Sequence, residues 1–131
     1  MDNAKPTRRE QREDIVKQLY EMDIHSEFIP RETGLEFVDE TLVGIIKHLA
    51  RIDEIIIDNL TNWKLKRLSY VDRAILRFAT YEMWLTETPS EIVINEALNI
   101  TRKYSDEGDD KMVGFNNKVL DNISKHVKKV G

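Results

Sequence analysis

The 131-residue chain (15.4 kDa) has the size of one domain and can bury about two thirds of its unfolded surface. Apolar residues make up 40% and charged residues 34%, five Gly and three Pro are too few for an all-β protein built on tight turns, and zero Cys excludes disulfides, thiolate catalysis and Cys-ligated zinc or iron–sulfur centres. The net charge of −4 is unevenly spread: residues 1–17 carry five Lys/Arg against four Asp/Glu, residues 118–131 four Lys against one Asp, and the stretch between is strongly acidic.

Nearly every segment has the period of a helix. Thr7 follows Pro6 and can cap a helix whose apolar positions are Ile15, Val16, Leu19 and Met22. Pro30 and Gly34 bracket a break. A second stripe runs through Leu35, Val38, Leu42, Ile45 and Leu49, and Ile52, Ile55, Ile56 and Leu60 continue it, in the same helix or a separate one, up to a turn at Asn62. Ser69 opens the clearest helix: its hydroxyl is placed to cap, Asp72 suits the positive end of the dipole, and Val71, Ile75, Phe78 and Ala79 form the buried face. Pro89 stops it and Ser90 is expected to cap the next, with a stripe of Val93, Ala97, Ile100 and Tyr104. Asp106 to Asp110 is a loop, and a last helix uses Phe115, Val119, Leu120, Ile123 and Val127. Sustained two-residue alternation is absent. These elements predict an all-α fold, one compact domain over residues 1–131 with about six or seven helices.

Groups able to do chemistry are sparse. His25, His48 and His126 are far apart with no carboxylate at metal-ligand spacing, and His48 is expected to be a packing or helix-surface residue. P-loop, GxGxxG and GxSxG patterns are missing. Counting calcium ligands from Asp106 puts Lys111 where the essential Gly belongs and Asn117 at the twelfth position, so the acidic run is a solvated loop. No stretch approaches the ~20 apolar residues of a membrane span and no apolar signal core opens the chain, which makes the cytoplasm the expected address.

The first helix is more suggestive. Arg8 and Arg12 are four apart, with Arg9 adjacent and Lys5 a turn earlier, so they gather on one edge, while Glu10, Glu13, Asp14 and Lys17 take the other. This separation suits a surface that tracks phosphates, and equally an exposed helix laced by pairs such as Glu13 with Lys17. Tyr20 is placed either to stack on an unpaired base or to lie partly in the core. Lys118, Lys125, Lys128 and Lys129 either extend a basic surface or complement the negative end of the last helix.

Four stretches together resemble the NusB family of bacterial transcription antitermination factors: RREQREDIVKQLYEMD (8–23), LVGIIKHLARIDEII (42–56), NWKLKRLSYVDRAILRFATYEMWL (62–85) followed by TPSEIVINEALNITRKYSDE (88–107), and NKVLDNI (117–123). The combination VDRAILR, YEM and VINEA is the most specific part. The chain departs from the family in a short segment between Met22 and Leu35, in Lys118 where a Gly is usual, and in a longer acidic loop before it. The resemblance implies a helical domain without enzymatic activity or cofactor that binds single-stranded boxA-type RNA together with NusE, a small-subunit ribosomal protein, within an antitermination complex on RNA polymerase that serves ribosomal RNA operons. It implies RNA contacts at Arg8, Arg9, Arg12, Tyr20 and Asp121, and a NusE contact at Glu82. Glu82 is also unusual by itself, a charge on the Val71–Ile75–Phe78 stripe. Asp121 repels phosphate, so its part would be to accept from a base amino group. Two alternatives use the same helices: a protein-interaction scaffold, and a stand-alone relative of the RNA-binding domain of RNA cytosine methyltransferases. Both a monomer and a homodimer that covers the RNA face are compatible with the sequence.

Overall fold

Six α-helices carry the chain in a computed structural model that describes residues 4–61 and 64–130, the side chains of Lys129 and Val130 excepted: α1 (Arg8–Ile24), α2 (Glu36–Lys47), α3 (Leu49–Asp58), α4 (Tyr70–Leu85), α5 (Ser90–Tyr104) and α6 (Lys111–Val130). A 3₁₀ turn (Leu65–Arg67) precedes α4. The turn expected at Asn62 and the side chain of Lys129 lie outside the described residues.

The helix starts follow local chemistry. At α1 the Thr7 hydroxyl accepts from the Glu10 amide at 3.1 Å and the Glu10 carboxylate accepts from the Thr7 amide at 2.9 Å, closing a capping box. Ser69 caps α4 by accepting from the Asp72 amide at 3.0 Å. Asp39, inside α2, folds back to accept from the Thr33 amide, the Thr33 hydroxyl and the Gly34 amide at 2.8, 2.7 and 3.1 Å. Those bonds hold its carboxyl below the usual range and fix the turn at Gly34, whose φ of +84° favours glycine. Ser90, by contrast, is the first residue of α5 rather than its cap; Pro89 holds that place and no side chain caps the helix. The continuous stripe from Leu35 to Leu60 breaks at His48, which ends α2 and starts α3. His48 then packs edge-on against Trp84, with ring centroids 5.4 Å apart. Between α1 and α2 the short connector has no helix, and Phe28 anchors it under the Arg77 guanidinium.

α4 touches each of the other five helices, which explains its sequence. Every residue from Ala74 to Thr80 is buried, so its apolar character wraps well beyond the one predicted face, whereas Val71 is only partly buried. Ile15, Leu19, Leu42, Ile45, Ile52, Ile55, Ile56, Leu120 and Ile123 close around it. Truncating one such residue to Ala would cost about 2–5 kcal/mol. Gly44 lets α2 approach α4: a Cβ there would sit 2.7 Å from Tyr81 Cε1. Among the described residues no helix is long and apolar enough to cross a membrane.

Polar ties hold the periphery to this core. Arg77, in α4, donates to both carboxylate oxygens of Asp53 in α3 (2.8 and 3.0 Å) and to Asp23 at the end of α1 (3.0 Å). Burial works against its charge, but the two carboxylates prevail and raise its pKa. Arg73 Nε lies 2.9 Å from the same Asp23. The two arginines of VDRAILR are therefore structural, joining α1, α3 and α4.

Candidate nucleic-acid interface

Side chains bridge α1 and α5. Arg9 meets Glu96 at 3.4 Å; one turn on, Glu13 accepts from Lys103 Nζ at 2.8 Å and from the Tyr104 hydroxyl at 2.6 Å. Partial burial would raise the Glu13 pKa, but the Lys103 and Tyr104 donors outweigh it and hold the carboxyl below its ordinary value. Beyond this bridge a groove of about 510 Å³ opens between Lys17, Tyr20 and Tyr104, floored by Val71 of α4. It joins a second, of about 670 Å³, lined by Tyr20, Tyr70, Tyr104 and Phe115, by Arg67 and Lys111, and by the acidic Glu107 and Asp109. Tyr20 is half-buried and stands perpendicular to Tyr70 with ring centroids 6.3 Å apart. Tyr20 thus lies partly in the core, with its outer part lining the groove.

The N-terminal arginines divide. Arg8 and Arg9 are exposed, with the Arg8 guanidinium stacked 3.9 Å above the Phe37 ring of α2. Arg12 is 7% exposed and does not belong to that edge. Its two terminal nitrogens grip both oxygens of Glu82, itself 2% exposed; Nη2 to Oε2 is 3.0 Å. The structure thus joins Arg12 and Glu82, the two positions that the resemblance gives to RNA and to NusE, in one buried pair between α1 and α4. A helical wheel puts Arg12 beside Arg8, but α4 lies against that side of α1, and the charge on the α4 stripe is its mate. Burial pushes the Glu82 pKa up, with Arg12 opposing, and the net effect is a carboxyl above its ordinary value.

Asp121 lies on the exposed stripe of α6 that also carries Lys111, Lys118 and Lys125, and pairs with Lys125 at 3.1 Å. It is about 9 Å along the helix axis from Phe115 at the groove's lip. The two cationic ends of the chain take different partners. Arg8 and Arg9 sit on α2 and α5, whereas the C-terminal half of α6 meets α3 through His126 and Asn59, 3.4 Å apart.

Sequence spacing misses two features. It places Tyr104 on a buried stripe, yet Tyr104 is 52% exposed and walls the groove. It gives Asp72 only a dipole role, yet Asp72 is a buried hub: one oxygen accepts from Ser105 (2.7 Å) and Asn116 (3.1 Å), the other from Ser69 (2.7 Å), tying α4 to α5 and α6 under the groove. Asn116 occurs at a position on the core side of α6, a polar residue among apolar ones, and that is the available signal. Among the described residues no group of three or more His, Asp or Glu could hold a metal ion. Exposed arginines, aromatic walls and scattered cations suit a flexible polyanion with bases to stack.

Comparison with known proteins agrees. The sequence pattern of the NusB family matches residues 3–125. Transcription antitermination protein NusB of Bacillus cereus (strain B4264) is 41% identical over 127 residues, covering 88% of this chain and 95% of the relative; that of Bacillus anthracis (strain CDC 684 / NRRL 3495) gives the same values. The structure of T. maritima NusB superposes with a TM-score of 0.79 at 30% identity, covering 93% of both chains. A structure of antitermination factors NusB and NusE in complex with dsRNA contains a chain matching at a TM-score of 0.76 and 26% identity, over 91% of this chain and 96% of that one. The chain belongs to the NusB family of transcription antitermination proteins.

Proposed function

We propose that this antitermination factor binds single-stranded boxA-type RNA together with NusE, and that the pair joins RNA polymerase in a complex that carries transcription of ribosomal RNA operons past terminators. It acts in the cytoplasm, as one domain over residues 1–131, by binding rather than by catalysis. The observation that carries this reading is that α1 presents the exposed Arg8 and Arg9 in its first turn and, further along, a groove walled by Tyr20 and Tyr104. The relative solved with NusE and dsRNA supports the choice of partners.

In this reading Arg8 and Arg9 contact phosphates and release counterions. Tyr20 stacks on a base, a contact worth about 1–3 kcal/mol. Asp121 accepts from a base amino group and contributes sequence preference rather than affinity. Arg12 is a positioning residue: held by Glu82, it seats the first turns of α1 so that Arg8 and Arg9 point outward. Glu82 bears on the NusE contact through the same seat.

The test is fluorescence anisotropy of a labelled boxA-type RNA titrated with the protein, with and without NusE, at two salt concentrations. Tighter binding with NusE present than with either protein alone is the expected result. Absence of binding in both arms, with the protein folded, overturns the reading in favour of a helical scaffold.

A further inference from the structure

We propose that bound single-stranded RNA does not end at Tyr20 but crosses Tyr70 onto the 3₁₀ turn before α4, where Lys64, Lys66 and Arg67 hold its phosphates. The inference rests on the RNA-binding reading above and extends its footprint to a segment that reading does not use.

Three observations converge on this turn. First, charge: the sequence from Asn59 to Val71 has no acidic residue, in a chain with a net charge of −4. Lys64, Lys66 and Arg67 are all exposed, and none forms an ion pair among the described residues, unlike Arg9, Lys103, Lys111 and Lys125. An exposed cation without a carboxylate mate has counterions to release, which is what favours phosphate binding. Second, continuity: Arg67 and Tyr70 line the same groove as Tyr20 and Tyr104, so a strand lying on Tyr20 meets the turn without leaving that depression. Lys64 and Lys66 border the next depression along, beside Ile57 and Arg73. Third, a prepared aromatic: Tyr70 is 42% exposed, its ring has Arg73 stacked at 4.2 Å and Tyr20 edge-on, and Arg73 is itself fixed by Asp23. A ring held this way offers its remaining surface to a base at little entropic cost. Cations at Lys64, Lys66 and Arg67 next to the Tyr70 ring, remote in the chain from the groove's acidic lining at Glu107 and Asp109, are the ingredients of a sequence-tolerant single-strand track.

The experiment compares two labelled RNAs, a minimal boxA-type element and the same element extended by about four to six nucleotides at one end or the other. The proteins are the wild-type full chain, the charge-reversed Lys64→Glu/Lys66→Glu/Arg67→Glu variant and the neutral Lys64→Gln/Lys66→Gln/Arg67→Gln variant, each checked for an unchanged melting transition. Wild type is expected to bind one extended RNA about tenfold more tightly than the minimal one. Both variants are expected to lose that gain while retaining the affinity for the minimal element. The log–log salt slope for the extended RNA should fall by about 2, near 0.7 for each single-strand phosphate that the three cations neutralise. Equal affinity of wild type for the minimal and extended RNAs overturns the proposal, as does a gain that survives in both variants. If wild type binds neither RNA, the RNA-binding reading fails and this inference fails with it.

Discussion

The guanidinium of Arg12 closes in two-pronged fashion on the carboxylate of Glu82, 70 residues further along the chain, and both are sealed from solvent between α1 and α4. Taking two charges out of water is costly, and the pair endures because the fork geometry satisfies both at once. Phe37 and Phe78 flank the Arg12 guanidinium at 5.6 and 5.5 Å and complete the enclosure. The result is a rigid seat beneath Arg8 and Arg9.

Removing one partner should therefore be far worse than removing both. Arg12→Ala leaves Glu82 buried and unpaired and should cost about 3–5 kcal/mol, whereas Arg12→Met/Glu82→Leu should recover most of the loss. The sign with pH follows from burial. Without Arg12, the Glu82 carboxyl, already above its ordinary value, rises further. The folded state then holds a proton that the unfolded state releases, so the single variant loses stability as pH rises from about 4.5, the unfolded value, through that raised pKa. Urea unfolding of the variant and wild type at several pH values checks this: the deficit should grow toward neutrality. A deficit independent of pH would place the cost elsewhere.

Arg8 and Arg9 should behave oppositely, because their charge faces water. Arg8→Glu/Arg9→Glu should weaken RNA binding for all sequences and lower the salt slope by roughly 0.7 for each phosphate the two arginines neutralise. Stability should change by no more than about 1 kcal/mol, the worth of the Arg8–Phe37 stacking and an exposed ion pair. Anisotropy titrations across salt, run beside thermal melts, separate the two effects; an unchanged slope would remove these residues from the phosphate path.

Helix positions are legible in the sequence wherever a local cause fixes them: Thr7 with Glu10, Ser69 with Asp72, and the Pro30–Gly34 break all act within a few residues. What depends on distant neighbours is not. Arg12 and Arg8 share a helical face, and only the position of α4 decides that one is buried and the other exposed. The spacing of Val93, Ala97, Ile100 and Tyr104 is a uniform stripe, yet α5 leaves the core before its last turn, and Tyr104 emerges into the groove. Tyr20 stands out as a candidate in the sequence, whereas its companions Tyr70 and Tyr104 come from α4 and α5 and require the fold to assemble them.

The Glu13–Tyr104 bond predicts a specific titration. Tyr104→Phe removes one of the two donors that hold the Glu13 carboxyl low, so its pKa should move up toward the ordinary 4.5. A lowered carboxyl stabilises the fold above its unfolded pKa and loses that contribution as pH falls through the folded one. The variant should therefore begin to lose the α1–α5 bridge at a higher pH than wild type does. Carboxyl-detected NMR of Glu13 gives the direct readout, and an unmoved titration would mean that Lys103 alone sets it.

Asp72 offers the sharpest separation of scaffold from binding surface. Its carboxylate accepts from Ser69, Ser105 and Asn116, and Asn116 also donates to Thr101 at 3.1 Å, so one buried anion fixes the start of α4, the end of α5 and the second turn of α6 beneath the tyrosine groove. Asp72→Asn keeps the shape but replaces an acceptor-only group with one that brings its own N–H donors among three existing donors, and should cost about 1–3 kcal/mol. The loss should be local in kind. Hydrogen exchange should accelerate at the first turn of α4 and the second turn of α6 while amides around Ile15 and Leu42 in the core keep their relative protection. Because Tyr70 and Phe115 are carried on those two turns, RNA affinity should fall even under conditions where the variant is fully folded. Should affinity hold while exchange at both turns accelerates, the wall they form is not where the RNA lies.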